Sequence, residues 1–356
     1  MPLKELIDNA HSDRVKRICA ISRAKSRVDG RFLVEGPQSV REAVRYAHKS
    51  ILDIYVLQDA VNSDYIDVNS FKNLKNGILQ NGSLETISKI VDESLKNQCY
   101  VHPATAEVMH KISTDCQGIV AVCDSKVLDE EFSKEFNKIG KISEIDEISE
   151  IEKEVVDDAK SCNNKDILIA SCWQVRDPGN AGAIIRVADV AGCNAVVFVD
   201  DCVSRFNSKL VRSSAGSLFH LPVVKMSENE WFDWAKNAKI KVIAADIYGT
   251  ENKKPKSFAS VLDSFRNESN IASNNVSNAH NIASNNTSNN PSNIASNIAI
   301  LFGNEARGLP QEVLNEVDEI SVIPIYGKAE SMNLATSAAV MLMGLAMSSH
   351  ERKMGI

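Results

Sequence analysis

The residue that most clearly suggests chemistry is Arg186, a charge on a predicted helix that is otherwise apolar. Its neighbours in the segment DPGNAGAIIRVADVAG, residues 177–192, include Ile184, Ile185, Val187, Ala188 and Val190. A charge in apolar surroundings needs a partner, and Asp189 offers one through an i,i+3 ion pair. A guanidinium is a poor base because it stays protonated at neutral pH. If its partner is a substrate, Arg186 would orient that substrate and stabilise negative charge developing on it.

Four further polar residues could serve either structure or chemistry. Asn180 precedes the same helix, where N-capping is its simplest role. Ser331 and Asn333 precede a long apolar helix, which either could cap, and Asn333 could combine capping with a role in a site. Glu305 stands in a loop, where a carboxylate in water is the plainest interpretation.

Two loops that contain glycine follow apolar runs in the last quarter of the chain. Ile298–Phe302 leads into GNEARG at 303–308, and Ile320–Ile325 leads into Tyr326 and Gly327. Parallel strands deliver such loops to one edge of a sheet, where open α/β sheets bind ligands. Glycine lets a ligand lie against the backbone, although ordinary turns use it too. No strand is followed by GxGxxG, which argues against a dinucleotide site.

The elements that must position these residues form an α/β pattern in two domains, which suits a chain of 356 residues. Residues 1–125 alternate between predicted helices and strands, with a strand at Ile51–Leu57, and should form a small α/β domain. Its first helix is expected to be amphipathic and to bury Leu6, Ile7, Val15 and Ile18. Residues 165–356 predict a parallel sheet with covering helices, including a strand at Ala195–Val199.

Two segments break this alternation. Residues 126–164 carry isoleucine at every third position from Ile142 to Ile151, which permits a helix, but their acidic composition favours a mobile linker. Residues 264–297 are rich in asparagine and serine and poor in apolar side chains, and are expected to be a disordered insertion.

Charge is unevenly distributed. The net charge is -7, yet residues 129–158 alone hold twelve acidic residues against four lysines, so the remainder is close to neutral. Residues 14–31 hold seven basic residues against Asp29 alone. This basic stretch fits an arm that faces nucleic-acid phosphates and, equally well, a solvated helix face.

Cysteine use and hydropathy indicate the expected compartment. The eight cysteines are scattered without a CxxC pair, so neither a metal site nor a disulfide framework is suggested, and we expect reduced, mostly buried thiols. The first residues do not show the basic and apolar pattern of a leader peptide. No apolar run is as long as the about 18 residues that a membrane span needs. A cytoplasmic protein without membrane contact is expected.

Three ordered motifs resemble those of the SpoU (TrmH) branch of the SPOUT RNA methyltransferases. They are the segment at 177–192, GNEARGLP at 303–310 and IPIYGKAESMNLA at 323–335, and together they are far more specific than one short pattern. The resemblance implies a parallel sheet with a C-terminal trefoil knot. It also implies methyl transfer from S-adenosylmethionine to a ribose 2'-hydroxyl of RNA, without a metal. RFLVEGPQSVREAV at 31–44 resembles the ribosomal-protein-like substrate domain of such enzymes, which favours 23S rRNA.

Carried over position by position, the resemblance assigns roles to single residues. The implied catalytic residues are Asn180, Arg186, Glu305, Ser331 and Asn333. The implied cofactor-binding residues are Gly303, Asn304, Gly308, Ile323, Ile325, Gly327, Met332 and Leu334. Arg186 is then expected to orient the ribose or a phosphate and stabilise the developing alkoxide, and Glu305 to fix Arg186 or nearby backbone amides. Ala306 and Met332 depart from the family's common glycine and leucine.

Partners follow from the same resemblance. The candidate RNA-binding residues are Arg14, Arg17, Arg23, Lys25, Arg27, Arg31 and Arg212, and for Arg212 a surface helix is an almost equal interpretation. Enzymes of this family are homodimers whose interface borders the site, so the long apolar helix from Asn333 is expected at an interface. A tRNA 2'-O-methyltransferase and a catalytically silent RNA-binding paralogue are the alternatives.

Overall fold

A computed structural model describes residues 2–23, 30–61, 81–145, 167–265 and 297–350. The chain divides into two compact units. The first comprises Met1–Lys134, Ala181–Arg186 and Ser204–Pro222, and the second Glu135–Asn180, Val187–Val203 and Val223–Ile356. The predicted boundaries at 125 and 165 are therefore corrected, because a segment far along the chain, Ser204–Pro222, belongs to the first unit. Local sequence patterns carry no information about such long-range membership.

The first unit is built on a four-stranded sheet, as the predicted small α/β domain requires. Its strands are β1 (Arg31–Glu35), β2 (Ile51–Leu57), β3 (Val101–Ala104) and β4 (Ile119–Asp124), in the order β1-β4-β2-β3. Only the β2–β3 pair is parallel among these neighbours. The helices are α1 (Asp13–Arg23), α2 (Pro37–Tyr46), α3 (Asn81–Lys96), α4 (Ala106–Ile112) and the start of α5 (Ser125–Ile145).

The N-terminal helix is shorter than its apolar pattern predicts. Val15 and Ile18 are buried in α1, but Leu6 is 49% exposed and lies outside the helix. Residues 3–7 instead run beside β3, where the Lys4 and Ile7 amides donate to the carbonyls of the strand. The chain turns before α1, where Asn9 accepts a hydrogen bond from the His11 amide at 2.8 Å, so the helix cannot extend back to Leu6.

The expected mobile linker is wrong for its first part, which is the helix α5. Leu128, Phe132, Phe136 and Ile139 are buried at spacings of three and four residues. This apolar stripe holds the helix despite the acidic composition, because amphipathic burial outweighs the repulsion between solvated charges on the other face. Residues 146–166 lie outside the described residues.

The second unit contains a seven-stranded sheet in which every pairing is parallel. Its strands are β5 (Leu168–Trp173), β6 (Ala195–Val199), β7 (Val223–Met226), β8 (Lys241–Ala245), β9 (Lys256–Ser257), β10 (Ile298–Phe302) and β11 (Glu319–Val322). Their order is β7-β6-β5-β10-β8-β11-β9. The predicted parallel sheet is confirmed, and β10 lies at its centre between β5 and β8.

The remaining helices are α6 (Pro178–Val190), α7 (Ser208–Ser213), α8 (Glu228–Asn237), α9 (258–265), α10 (Gln311–Glu316) and α11 (Leu334–His350). Within the second unit α11 approaches α9 closely, since a Cβ on Gly344 would lie 2.8 Å from the Phe258 ring. Apart from its ends, the asparagine- and serine-rich insertion predicted at 264–297 lies outside the described residues. The trefoil knot implied by the resemblance stays a prediction.

Cysteine and hydropathy patterns can be checked over the described chain. No disulfide joins its seven cysteines, whose thiols are all buried except that of the half-buried Cys202. Over the same residues, no helix combines the length and the apolar character needed to cross a bilayer.

Candidate active site

A cleft of about 560 Å³ opens in the second unit beyond the carboxyl ends of three parallel strands. Its walls come from the segments that follow β8, β10 and β11 and from the beginning of α11. This is the sheet edge at which the sequence placed a ligand site, and its volume suits a small organic ligand. Seven of the eight predicted cofactor positions line it: Gly303, Asn304, Gly308, Ile323, Ile325, Met332 and Leu334. Gly327, the eighth, is not among the described residues that line the cleft.

The loop 303–308 is closed on itself by hydrogen bonds. The backbones of Asn304 and Gly308 exchange two bonds of 3.2 and 2.9 Å. The Asn304 side chain donates to the Gln174 carbonyl at 2.7 Å and accepts from the amides of Ala306 and Arg307. A Cβ on Gly303 would lie 2.6 Å from the carbonyl carbon of Gly308. Glycine at 303 is therefore required by the loop itself, whereas the sequence interpretation attributed it to the approach of the cofactor.

Three motif residues from distant parts of the chain join in one hydrogen-bonded series. The Asn333 side-chain amide donates to Asn180 Oδ1 at 3.0 Å, and the Asn180 amide donates to Glu305 Oε1 at 3.3 Å. The Glu305 carboxylate also accepts from the backbone amides of Arg176 and Asp177, at 3.3 and 3.1 Å. Binding backbone amides is one of the two roles expected for Glu305.

The structure shows which of the two asparagines predicted to cap a helix does so. Asp177, not Asn180, caps α6, because Asp177 Oδ1 accepts from the Asn180 backbone amide at 2.8 Å. Asn333 does cap α11, since its Oδ1 accepts from the amides of Ala335 and Thr336 at 3.0 and 3.2 Å. Its amide nitrogen remains available for Asn180, so Asn333 combines both roles.

Arg186 and Ser331 differ in their relation to the cleft. Ser331 is exposed and lines it, together with Asn180, Glu305 and Asn333. Arg186 is exposed too, but it is not among the described residues that line the cleft. The described chain therefore brings together four of the five predicted catalytic residues.

Of the predicted RNA-binding arginines, two are engaged in ion pairs within the first unit. Arg14 pairs with Asp53 at 3.2 Å and donates to the Tyr55 hydroxyl at 3.0 Å. Arg212 pairs with Asp115 and lies 3.6 Å from Glu35. Both therefore have a structural role that sequence reasoning did not foresee. Arg17 and Arg31 are exposed, and the Arg23 side chain, Lys25 and Arg27 lie outside the described residues.

A second cleft, of about 530 Å³, lies beside α1 in the first unit. Two lysines, Lys16 and Lys111, line it together with His11 and small side chains such as Ala10 and Cys19. Lys111 comes from the end of α4, which packs on α1. No sequence pattern pointed to Lys111, because its proximity to Lys16 is created by the packing of α4 on α1.

Two residues on the main cleft were also missed by sequence reasoning. Ser321 on β11 is 1% exposed, and its hydroxyl has no hydrogen-bond partner among the described residues. Tyr248, in the loop after β8, is 79% exposed at the cleft. Neither belongs to a motif; the apolar runs on either side could have located the strand ends, but not the direction of these side chains.

Thiol and metal chemistry find little support in the described residues. Burial raises the pKa of the Cys202 thiol to about 12 and that of Cys172 well above its usual value. Neither thiol is therefore a nucleophile at neutral pH. Over the described ranges, no cluster of three or more His, Cys, Asp or Glu side chains is arranged to hold a metal ion.

Comparison with known proteins places the second half of the chain in a family. Residues 168–343 match the model of the SpoU rRNA Methylase family. The 23S rRNA (guanosine(2553)-2'-O)-methyltransferase RlmP of Bacillus subtilis is 33% identical over 170 residues, 47% of this chain and 53% of the relative. The 23S rRNA (uridine(2479)-2'-O)-methyltransferase of Streptomyces viridochromogenes is 28% identical over 166 residues, 46% of this chain and 47% of the relative. The matched region thus spans about half the length of these curated relatives.

The fold as a whole resembles a solved structure. The AdoMet-bound rRNA methyltransferase from Sinorhizobium meliloti superimposes with a TM-score of 0.61 over 100% of both chains at 19% identity. This similarity shows the fold, and the family match covers all the described residues that line the cleft. The part of the chain from residue 168 to residue 343 belongs to the SpoU rRNA methylase family.

Proposed function

We propose that this protein transfers a methyl group from S-adenosylmethionine to a ribose 2'-hydroxyl of RNA, with 23S rRNA as the substrate. The observation that carries the proposal is the series Glu305, Asn180 and Asn333, which links all three motifs beside one cleft. The two curated relatives, named as 23S rRNA 2'-O-methyltransferases, support the choice of RNA.

The main cleft fits the cofactor. It combines apolar side chains, such as Ile323 and Leu334, with the backbone of the loop 303–308, which suits a ligand with both apolar and polar parts. The buried Ser321 hydroxyl is a hydrogen-bonding group that the protein leaves unsatisfied, as expected where a ligand completes the set. When bound, S-adenosylmethionine supplies a methyl group on a sulfonium, a good leaving group, so alignment is the protein's main task.

The polar residues at the cleft would hold the reacting sugar. Each of the amides of Asn180 and Asn333 uses one N–H within the series and retains a second for a substrate oxygen. We assign Arg186 to the orientation of the ribose or a phosphate and to stabilisation of the alkoxide as the hydroxyl loses its proton. Since Arg186 does not line the described cleft, a second copy of the chain would have to supply it.

A homodimer is accordingly part of the proposal. Val190, one turn after Arg186 on α6, is 68% exposed, and Val340 and Met347 on α11 are 40% and 64% exposed. Apolar side chains left in water on helices beside a site are typical of an interface. We place the dimer interface on these surfaces.

The first unit would bind the RNA. Exposed cations on α1 and the cleft between Lys16 and Lys111 offer positive charge for phosphates. We prefer rRNA to tRNA because the first unit resembles the substrate domain that precedes the catalytic domain in rRNA enzymes. The cytoplasm, where such RNA and its cofactor occur in bacteria, is the proposed location.

The test is methyl transfer by the purified full chain from labelled S-adenosylmethionine to unmodified 23S rRNA and to tRNA transcripts. Mapping of 2'-O-methyl marks should find one on rRNA. A mark on tRNA alone would support the tRNA alternative. Binding of RNA without transfer to either would support a silent paralogue.

A further inference from the structure

The loop after β8 holds its conformation through hydrogen bonds at both ends. Asp246 Oδ1 accepts from the amides of Tyr248 and Gly249, each at 2.8 Å. Gly249 has φ +68, and a Cβ there would lie 2.5 Å from the Lys253 carbonyl oxygen, so only glycine fits. The Thr250 amide donates to that same carbonyl at 2.9 Å. The turn around Tyr248 is therefore tightly defined.

The same loop is fastened to α10. Gln311 Nε2 donates to the Gly249 carbonyl at 3.0 Å, and the Lys253 ammonium donates to the Asn315 carbonyl at 3.1 Å and to the Val317 carbonyl. Gly249 and Thr250 are buried, whereas the side chain of Tyr248, the residue just before them, is 79% exposed. A rigid, buried support thus presents a large aromatic ring to solvent at the rim of the cleft.

Such an arrangement favours recognition rather than folding. A tyrosine with four fifths of its surface in water contributes little to the hydrophobic core, and the bonds around it fix its backbone before any ligand arrives. A preorganised aromatic ring loses little conformational entropy on binding and stacks well on planar bases. Its exposure indicates a partner that comes from solvent, not one enclosed in the cleft.

We infer that Tyr248 stacks on a nucleobase of the RNA at or next to the target nucleotide, and so helps to place the ribose against the cleft. This inference rests on the proposed function and adds a residue outside the three motifs. It assigns the ring to the RNA, and not to the adenine of the cofactor or to a second copy of the chain.

The experiment compares Tyr248→Ala and Tyr248→Phe with the wild type on an unmodified 23S rRNA transcript. Loss of one base stack should raise the KM for RNA about tenfold in Tyr248→Ala and leave kcat nearly unchanged. Tyr248→Phe keeps the ring and should behave like the wild type. Tyr100→Ala removes a tyrosine that is 50% exposed and is not among the described residues that line the cleft, and it is the matched control.

Three further measurements make the outcome decisive. Calorimetry should give equal S-adenosylmethionine affinities for Tyr248→Ala and wild type, and a weaker affinity would reassign the ring to the cofactor. Sedimentation should give equal masses, and dissociation of the variant would reassign it to an interface. Fluorescence anisotropy with the same RNA measures binding directly; equal affinities for Tyr248→Ala and wild type would overturn the inference. If the wild type binds RNA but transfers no methyl group, only the proposed function fails.

Discussion

At the scale of single residues, Ser321 and Ser171 form a matched pair for mutagenesis, because both are buried serines on one sheet. Ser321 and Ser171 are 1% and 0% exposed on strands of the same sheet, and both hydroxyls lack hydrogen-bond partners among the described residues. Only Ser321 lines the cleft. A net hydrogen bond is worth about 1 kcal/mol, so Ser321→Ala should weaken S-adenosylmethionine binding about fivefold. Ser171→Ala should leave it unchanged, as calorimetry can show. Equal effects of the two substitutions would mean that Ser321 does not contact the cofactor.

Asn333 allows its two roles to be separated. Serine can accept the hydrogen bonds that cap α11, but it lacks the amide nitrogen that reaches Asn180. Asn333→Ser should therefore keep the melting temperature and lose most activity. Asn333→Ala should lose activity and also about 1 kcal/mol of stability. The measurements are thermal unfolding and methyl transfer; an active Asn333→Ser enzyme would limit Asn333 to capping.

Single residues also show what a sequence can and cannot predict. Asn180, Glu305 and Asn333 were found because they stand in motifs, where the residue type and its order along the chain are the signal. Asp177 as the cap of α6 was missed, although an aspartate directly before a proline is a sequence signal for a helix start. The pairing of Arg14 with Asp53 depends on side-chain directions that no local pattern encodes.

Among the elements, the outer part of the second unit's sheet depends on a buried carboxylate. Glu319 on β11 has a side chain that is 10% exposed and bonds to Lys241 on β8 at 2.7 Å and to Lys256 on β9 at 3.1 Å. Burial acts to raise its pKa, but the hydrogen bonds and charges of the two lysines prevail and lower it. The ionised form therefore stabilises the fold.

This pKa fixes the sign of a pH effect. A carboxyl whose pKa is lower in the folded state stabilises the protein above its unfolded pKa of about 4.3, and the contribution disappears as pH falls through the folded value. Glu319→Gln should lose about 1–2 kcal/mol at pH 7, and its difference from wild type in urea unfolding should shrink below about pH 4. Glu85→Gln removes an exposed pair with Lys89 and is the control, expected to be neutral. A difference that does not vary with pH would contradict this account.

The sequence predicted buried strands better than amphipathic helices that have one apolar and one highly charged face. The runs at Ile51–Leu57, Ala195–Val199 and Ile298–Phe302 coincide with β2, β6 and β10, because buried strands of parallel and mixed sheets are mostly apolar along their length. In α5 a narrow apolar stripe lies among many acidic residues. The acidic composition led to the prediction of a linker, although the spacing of the apolar residues by itself favours a helix.

At the scale of the whole molecule, the proposed dimer predicts complementation between two inactive variants. Arg186→Lys should lose most activity and Asn333→Ala likewise, each with a cofactor affinity close to that of the wild type. If Arg186 acts on the cleft of a second copy, mixed dimers contain one intact site, and co-refolded mixtures should recover activity. The readout is methyl transfer against the mixing ratio, with sedimentation to verify dimers. A mixture as inactive as its components, or a fully active monomer, would contradict the shared site.

The composition of the first unit is a property of the whole chain that the sequence could not reveal. Phe206 packs against Phe32 with ring centroids 4.6 Å apart and ring planes tilted by 30°, although 174 positions separate the two residues. Within the same unit, Arg212 pairs with Glu35 and Asp115. A fragment that ends at residue 125 lacks Phe206 and Arg212, and composition shifts along the chain could not reveal that these residues belong to the first unit.

The central position of β10 has a consequence for how the protein is made. Strands β5 and β8 are both complete by residue 245, yet each pairs with β10, at residues 298–302. Until residue 302 has left the ribosome, these two strands present unpaired edges, the kind of surface on which chaperones act and nascent chains associate. The loop that begins at Gly303 follows at once, but the cleft also needs the segment after β11 and the start of α11. The centre of the sheet can therefore close before the pocket is complete.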